Sequence, residues 1–272
     1  RWWQSSTLTI KVYRCVGGLS SNMGFILALQ FLTRIPVYSH KQSQCTSRDL
    51  ARSMAHYPLV GALLGLLLSI TNKLVALLPV PPTISAILLM AILVLITGNL
   101  HWDGWMDTAD GLLSGHQGQR ALDIMKDSRV GASGVVWAAL AALAQYSLLS
   151  HLLTLSALRA GAWLIACLAW SRWNAVLGTF VFPYARKTGG TAQPFLKDIS
   201  SKEMIIATIM GLVISVFTVG WATLPLLTAN TILTMGLGRF AKKRIGGITG
   251  DVLGAMIIAG ELVGLLIGGI YI

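Results

Sequence analysis

Residues 101–111 read HWDGWMDTADG and place Asp103, Asp107 and Asp110 four and three positions apart. At about 100° per residue, the three carboxylates fall within roughly a 60° arc of one helix. Like charges at that spacing repel and destabilise a helix. A divalent cation turns the repulsion into binding energy, and carboxylate oxygens combined with water and substrate phosphates are the ligand set that Mg²⁺ prefers. The spacing therefore nominates Asp103, Asp107 and Asp110 as metal ligands. The competing reading is an acidic face that only marks a membrane surface. Concentration argues against it, because five of the ten Asp and Glu residues lie within 103–127.

Three further stretches carry the complementary charge. IMKDSRVGASG (124–134) sets Lys126, Asp127 and Arg129 beside glycines. YARKTGGTAQPF (184–195) joins Arg186 and Lys187 to Gly189 and Gly190, and KKRIGGITGD (242–251) joins Lys243 and Arg244 to Gly246 and Gly247 before ending in Asp251. Glycine lets backbone N–H groups approach an anion, and adjacent cations neutralise it, so these runs are candidate phosphate cradles. Either of the last two runs alone is more readily a basic membrane anchor with a turn, and the cations of 124–134 alone could be ordinary salt bridges. Asp251, at the mouth of an apolar run, joins the candidate metal set. Glu261 lies inside that run, where a carboxylate is either functional or paired with a buried cation such as Arg172. Among the histidines, His101 points off the aspartate face and reads as structural, though it is the one that stands closest to the acids. Cys15, Cys45 and Cys167 show no metal or redox spacing, and no hydrolase triad motif or P-loop is present.

The elements that must hold these residues are apolar. The chain has 272 residues, 54% hydrophobic and 11% charged, with net charge +11 and mean hydropathy +0.69. That charge deficit excludes an ordinary soluble domain. Seven apolar runs of spanning character occur, at 58–80, 82–100, 132–155, 157–178, 204–219, 221–238 and 252–272. If all cross, 19 of the 21 Lys and Arg residues fall on one side, with Arg172 counted at a span edge and Lys73 and Arg159 excepted. By the positive-inside rule that side is the cytoplasm, and the basic charge is an orientation signal rather than a nucleic-acid footprint. Five aspartates in 101–127 exclude that stretch from the bilayer core, at about 2.5–3.5 kcal/mol each. A loop or short helix pair at the membrane face is expected there. FILALQFLTRIPV (25–37) is too short to span and is expected to lie in the interface or pack among the other helices. The fold class is thus all-α, a polytopic membrane helix bundle of about seven spans. Residues 23–272 form one domain, and residues 1–22 are expected to be an extension outside the fold.

FLTRIPV, YPLVGALLG, HWDGWMDTADG, IMKDSRVGASG, YARKTGG and RIGGITGDVLGA follow one another in the order characteristic of the adenosylcobinamide-GDP ribazoletransferases, the cobalamin synthase family. The resemblance runs from about Phe25 to the C-terminus, with Trp102 and Trp105 standing where that family commonly has leucine. CDP-alcohol phosphotransferases and intramembrane prenyltransferases share single aspartate motifs but lack their remaining signatures here. A cation transporter would place its carboxylates at mid-span. The family resemblance implies Mg²⁺-dependent joining of adenosylcobinamide-GDP to α-ribazole or its 5′-phosphate, with release of GMP, in the bacterial inner membrane. On that reading Asp103, Asp107, Asp110 and Asp251 hold Mg²⁺, and Asp107 or Asp127 takes the proton of an attacking 5′-hydroxyl. Lys126, Arg129, Arg186 and Lys187 stabilise phosphate charge. Either a monomer or a homo-oligomer is compatible with the sequence.

Overall fold

The computed structural model describes residues 14–16, 22–36, 42–44, 46–186 and 198–271. Helices dominate it, as expected from the composition. The short strands Arg14–Val16 and Gln42–Gln44 pair antiparallel. Helix α1 (Asn22–Leu32) buries Leu27, Ala28 and Leu32 against α2 (Ser47–Ser53), the 3₁₀ turn Met54–His56 and α3 (Tyr57–Val75), so FILALQFL packs among the other helices. The remaining long helices are α4 (Pro82–Thr97), α7 (Ala132–Leu152), α8 (Ala157–Val181), α9 (Ser201–Val219), α10 (Thr223–Ile245) and α11 (Gly250–Tyr271). Each of the seven apolar runs has become a helix. Two short helices, α5 (Leu100–Leu113) and α6 (Gly118–Ile124), occupy the acidic stretch as the expected helix pair.

Helix α8 is the axis of the bundle, buried over most of its length, with α3, α11, α9 and α10 against it. Leu63, Leu66, Leu67, Leu95, Leu140, Leu143, Phe217 and Ile232 are exposed on the surrounding helices, an arrangement that suits hydrocarbon rather than water. Small residues permit the closest approaches. A Cβ at Gly65 would lie 2.5 Å from the Ile165 Cα, and Gly61 similarly abuts the backbone of Leu168; such contacts replace the missing hydrophobic drive between helices in lipid. By length and composition five helical stretches can cross a membrane, or six if α4 and α5 count as one bent span. One of the five, Ser201–Ile245, is 45 residues long but doubles back at Gly220 (φ 58°). Its antiparallel course is set by contacts to α8. Trp173 Nε1 donates to Thr208 Oγ1 on α9 at 2.9 Å, and the adjacent Asn174 Nδ2 donates to Asn230 Oδ1 on α10 at 2.8 Å. Residues 22 positions apart thus meet the same turn of α8, so α9 and α10 lie side by side as two helices.

Two features depart from the expected plan. Arg172, counted at a span edge, is fully buried in the middle of α8 and paired with Glu261 at 2.6 Å, the partnership named as one alternative for that acid. The run at 82–100 does not cross as one straight helix. It ends at Thr97, Gly98 and Asn99 both adopt left-handed backbone (φ 63° each), and α5 departs at 89°. Helix α5 therefore lies across the end of the bundle, over the first turns of α11.

Candidate active site

Three elements meet where α5 crosses α11. The crossing depends on glycine: a Cβ at Gly104 would lie 2.7 Å from the Asp251 carbonyl oxygen, and one at Gly254 would lie 3.3 Å from the His101 carbonyl oxygen. With no side chain at either position, Asp103 and Asp107 on α5 are brought to Asp251 at the start of α11. The third element is the segment after α8. Ala185 N–H donates to the Ile248 carbonyl, and Ile248 N–H to the Pro183 carbonyl, each at 2.9 Å. This short parallel bridge sets Arg186 against Asp251, Nη2 to Oδ2 at 2.9 Å. Thr249 Oγ1 donates to the same carboxylate at 3.1 Å. Thr249 was not singled out from sequence, although Thr two residues before an acid at a helix start is a capping signal.

The three aspartates of α5 sit in graded surroundings. Asp103 is exposed, Asp107 half-buried and Asp110 buried. Asp107 is pushed up to about 8, first by desolvation and then by the charges of Asp251, Asp103 and Asp110, with Arg186 pulling the other way. A carboxyl poised near neutral pH beside uncompensated acids is a functional signature. Asp110 has a different task. Its oxygens accept the N–H groups of Gly131 and Gly134, both at 2.7 Å, so it caps the N-terminus of α7 from another helix. A Cβ on either glycine would collide with that carboxylate. The glycines of 124–134, expected to receive phosphate, receive the protein's own anion.

The other candidates divide. Asp127 pairs with Arg129 at 2.7 Å on the surface, where Arg129 is 85% exposed. The Arg129 hydrogen bonds hold Asp127 down to about 2, which makes it a weaker proton acceptor than a carboxylate at its ordinary value. With Asp110 and Ser133, the pair lines an open cavity of about 480 Å³ at the start of α7. Lys126 lies at the end of α6, next to that pair. Gly246 takes a left-handed conformation (φ 82°) to end α10, and Gly247 lies against the Pro183 carbonyl too closely for any side chain. Gly247 thus belongs to the bridge that carries Arg186, whereas Gly246 is exposed with open space around it. Lys243 is exposed in the last turn of α10, and Arg244 stacks on Phe240 at 5.5 Å. Lys187, Gly189 and Gly190 lie outside the described residues.

Among the described residues, no group of three or more His, Cys, Asp or Glu side chains is close enough to form a ready metal cage. Asp110 is engaged by the α7 backbone, Asp251 pairs with Arg186, and Asp103 and Asp107 lie near enough to act on one another electrostatically.

A family model described as cobalamin-5-phosphate synthase matches residues 24–269. The chain belongs to this family. Among curated relatives named adenosylcobinamide-GDP ribazoletransferase, one from Desulfitobacterium hafniense is 37% identical over 243 residues, covering 88% of this chain and 94% of that protein. One from Desulforamulus reducens is 37% identical over 238 residues, covering 87% and 91%, and one from Klebsiella pneumoniae is 34% identical over 245 residues, covering 89% and 97%. No solved structure matches the chain. Family membership removes the CDP-alcohol phosphotransferase and transporter readings. It also corrects the proposed nucleophile: a product named as a 5-phosphate carries phosphate on that oxygen, so a 5′-hydroxyl cannot be the attacking group for such an acceptor.

Proposed function

We propose that this protein joins adenosylcobinamide-GDP to α-ribazole or its 5′-phosphate and releases GMP, acting at the cytoplasmic face of a bacterial inner membrane. The observation that carries the reading is the cluster of Asp103, Asp107, Asp251 and Arg186, set by the α5–α11 crossing in a chain of this family. A secondary ribose hydroxyl of the acceptor attacks the phosphorus on the cobinamide side of the diphosphate. The bond from that phosphorus to the oxygen bridging to GMP breaks, and GMP leaves with the electron pair. Asp107, in its ionised form, takes the hydroxyl proton. Arg186 offsets charge on the transferring phosphoryl group while holding Asp251 in place. Lys126 and Arg129, beside the open cavity at α7, are positioned for the leaving nucleotide's phosphate, and Lys243 adds basic charge on the same side of the bundle.

The donor chemistry fits Mg²⁺. Asp103, Asp107 and Asp251 offer only hard oxygens and outnumber their single guanidinium partner, which adds to the burial that raises Asp107. Mg²⁺ commonly takes one or two carboxylates and completes its shell with water and substrate phosphates, so a ready cage is unnecessary. When bound by Asp103 and Asp251, with Asp107 alongside, it supplies charge neutralisation to the diphosphate.

The test is GMP release by the purified protein in liposomes, given adenosylcobinamide-GDP with and without ribazole and Mg²⁺. Release that requires both supports the reading, whereas nucleotide release independent of ribazole overturns it.

A further inference from the structure

The end of the bundle opposite the acidic helix has no part in the proposed chemistry, and it carries a cavity of its own. Helix α11 starts beside Asp251 and runs 22 residues to Tyr271, about 33 Å. A bilayer's hydrocarbon core is about 30 Å thick, so Tyr271 stands at the headgroup level of the leaflet away from the acidic helix. Helix α8 runs the other way alongside it: Gly264 meets Cys167 and Gly268 meets Trp163, which puts Arg159 at the same end. There Leu158, Arg159, Trp163, Val219, Trp221 and Tyr271 line an open cavity of about 320 Å³. Trp221 is 71% exposed, and its ring stands edge-on to Tyr271 at 4.9 Å between centroids and 73° between planes. Amphipathic rings of this kind favour the boundary between hydrocarbon and water.

The exposed cation of this cavity lacks a counter-charge. Arg159 is one of two cations on the side that the positive-inside rule depletes. All ten acidic residues of the chain are described, and none pairs with it. Glu261 is held by Arg172, about 20 Å from Arg159 along α8. A phospholipid has matching parts at this depth, a phosphodiester anion above and acyl chains below. With no acidic side chain beside Arg159, the ammonium of a zwitterionic headgroup would find no partner, and an anionic headgroup fits better. We infer that this cavity binds one anionic phospholipid of the leaflet opposite the acidic helix. Its phosphodiester meets the Arg159 guanidinium, and its glycerol and upper chains lie against Leu158, Val219 and Trp221. A lipid so placed ties the turn between α9 and α10 at Gly220 to the ends of α8 and α11.

The test is lipid binding by the intact protein in detergent, read by native mass spectrometry with dioleoyl phosphatidylglycerol or dioleoyl phosphatidylcholine. Wild type is expected to bind its first phosphatidylglycerol about tenfold more tightly than its first phosphatidylcholine, the effect of one charge-assisted contact. In Arg159→Gln that ratio falls toward one, with the melting temperature in lipid-free detergent unchanged, and Arg159→Lys keeps most of the preference. Lys202→Gln removes an exposed cation at the other end of α9 and leaves the ratio intact. Equal binding of the two lipids by wild type overturns the inference even if Arg159→Gln fails to fold. A preference that survives Arg159→Gln, or that Lys202→Gln abolishes equally, overturns it too. Displacement of the bound phosphatidylglycerol by glycerol 3-phosphate would make a free phosphate the ligand and remove the lipid as occupant.

Discussion

Arg172–Glu261 in the middle of the bundle and Arg186–Asp251 at its end have similar geometry, 2.6 and 2.9 Å, and different surroundings. Both oxygens of Glu261 are engaged, Oε1 by Arg172 and Oε2 by Gln145 at 2.9 Å, and Arg172 Nη1 also donates to Ser171 Oγ at 2.8 Å. Neither partner is more than 2% exposed. At the end of the bundle, one guanidinium faces Asp251 with Asp103 and Asp107 close by, and water reaches the group. In the first pair both Glu261 oxygens are filled, although Arg172 Nε and Nη2 find no acceptor, and the pair joins α8 to α11. The second sets a single guanidinium among three carboxylates. A carboxylate in this membrane protein is therefore informative by what remains unsatisfied around it rather than by its depth.

Breaking the buried pair should have the largest effect. Arg172→Leu strands an ionised or protonated Glu261 among apolar neighbours and is expected to lower stability by about 3–5 kcal/mol, seen as a depressed melting temperature in detergent. The double variant Arg172→Leu/Glu261→Leu should recover most of that loss; no recovery would mean that the pair does more than satisfy itself. At the other pair the effect moves from stability to rate. Asp107→Asn is expected to cut turnover by about 100-fold or more without lowering the melting temperature.

The same residue gives a pH signature. Its folded pKa lies above its ordinary value, so the protonated form is favoured on folding. The stability it contributes is present at low pH and lost as pH rises from about 4 toward 8. Melting in EDTA should show that decline, and Asp107→Asn should flatten it. Without added metal, turnover should rise through the region near 8 as the carboxylate ionises.

Asp110→Asn tests the division within the acidic helix. It leaves one of two α7 N–H groups without an acceptor and is expected to cost about 1–3 kcal/mol of stability, with activity falling in parallel rather than selectively. Arg186→Ala should reduce turnover about tenfold and move the Asp107 limb of the pH profile upward, because the one charge that lowers Asp107 is gone. Asp127→Asn should change turnover less than about twofold; a loss as large as that of Asp107→Asn would restore Asp127 as the base.

These contrasts mark how far the sequence could be read. The spanning helices were legible because a bilayer demands long apolar runs. The aspartate face on α5 was legible from its period. What the glycines do was not. A glycine beside charge signals that backbone must come close to something, and it does not say to what: Gly131 and Gly134 approach Asp110, and Gly247 approaches Pro183. Arg172 was misplaced for a related reason, since hydropathy records that a cation is present in an apolar run without recording that Glu261, 89 residues later, awaits it. The turn at Gly98–Asn99 left no periodic trace, because leucine and histidine continue the pattern across it.

That turn gives meaning to a motif with no chemistry of its own. Arg34 N–H donates to the Ile96 carbonyl at 2.7 Å, and the Arg34 side chain passes so close over Gly98 that no Cβ would fit. The segment after α1 thus clasps the elbow from which the acidic helix swings. Damage to that clasp would silence the enzyme by turning its carboxylates away from their partners, with every reacting group still present and the bundle beneath undisturbed.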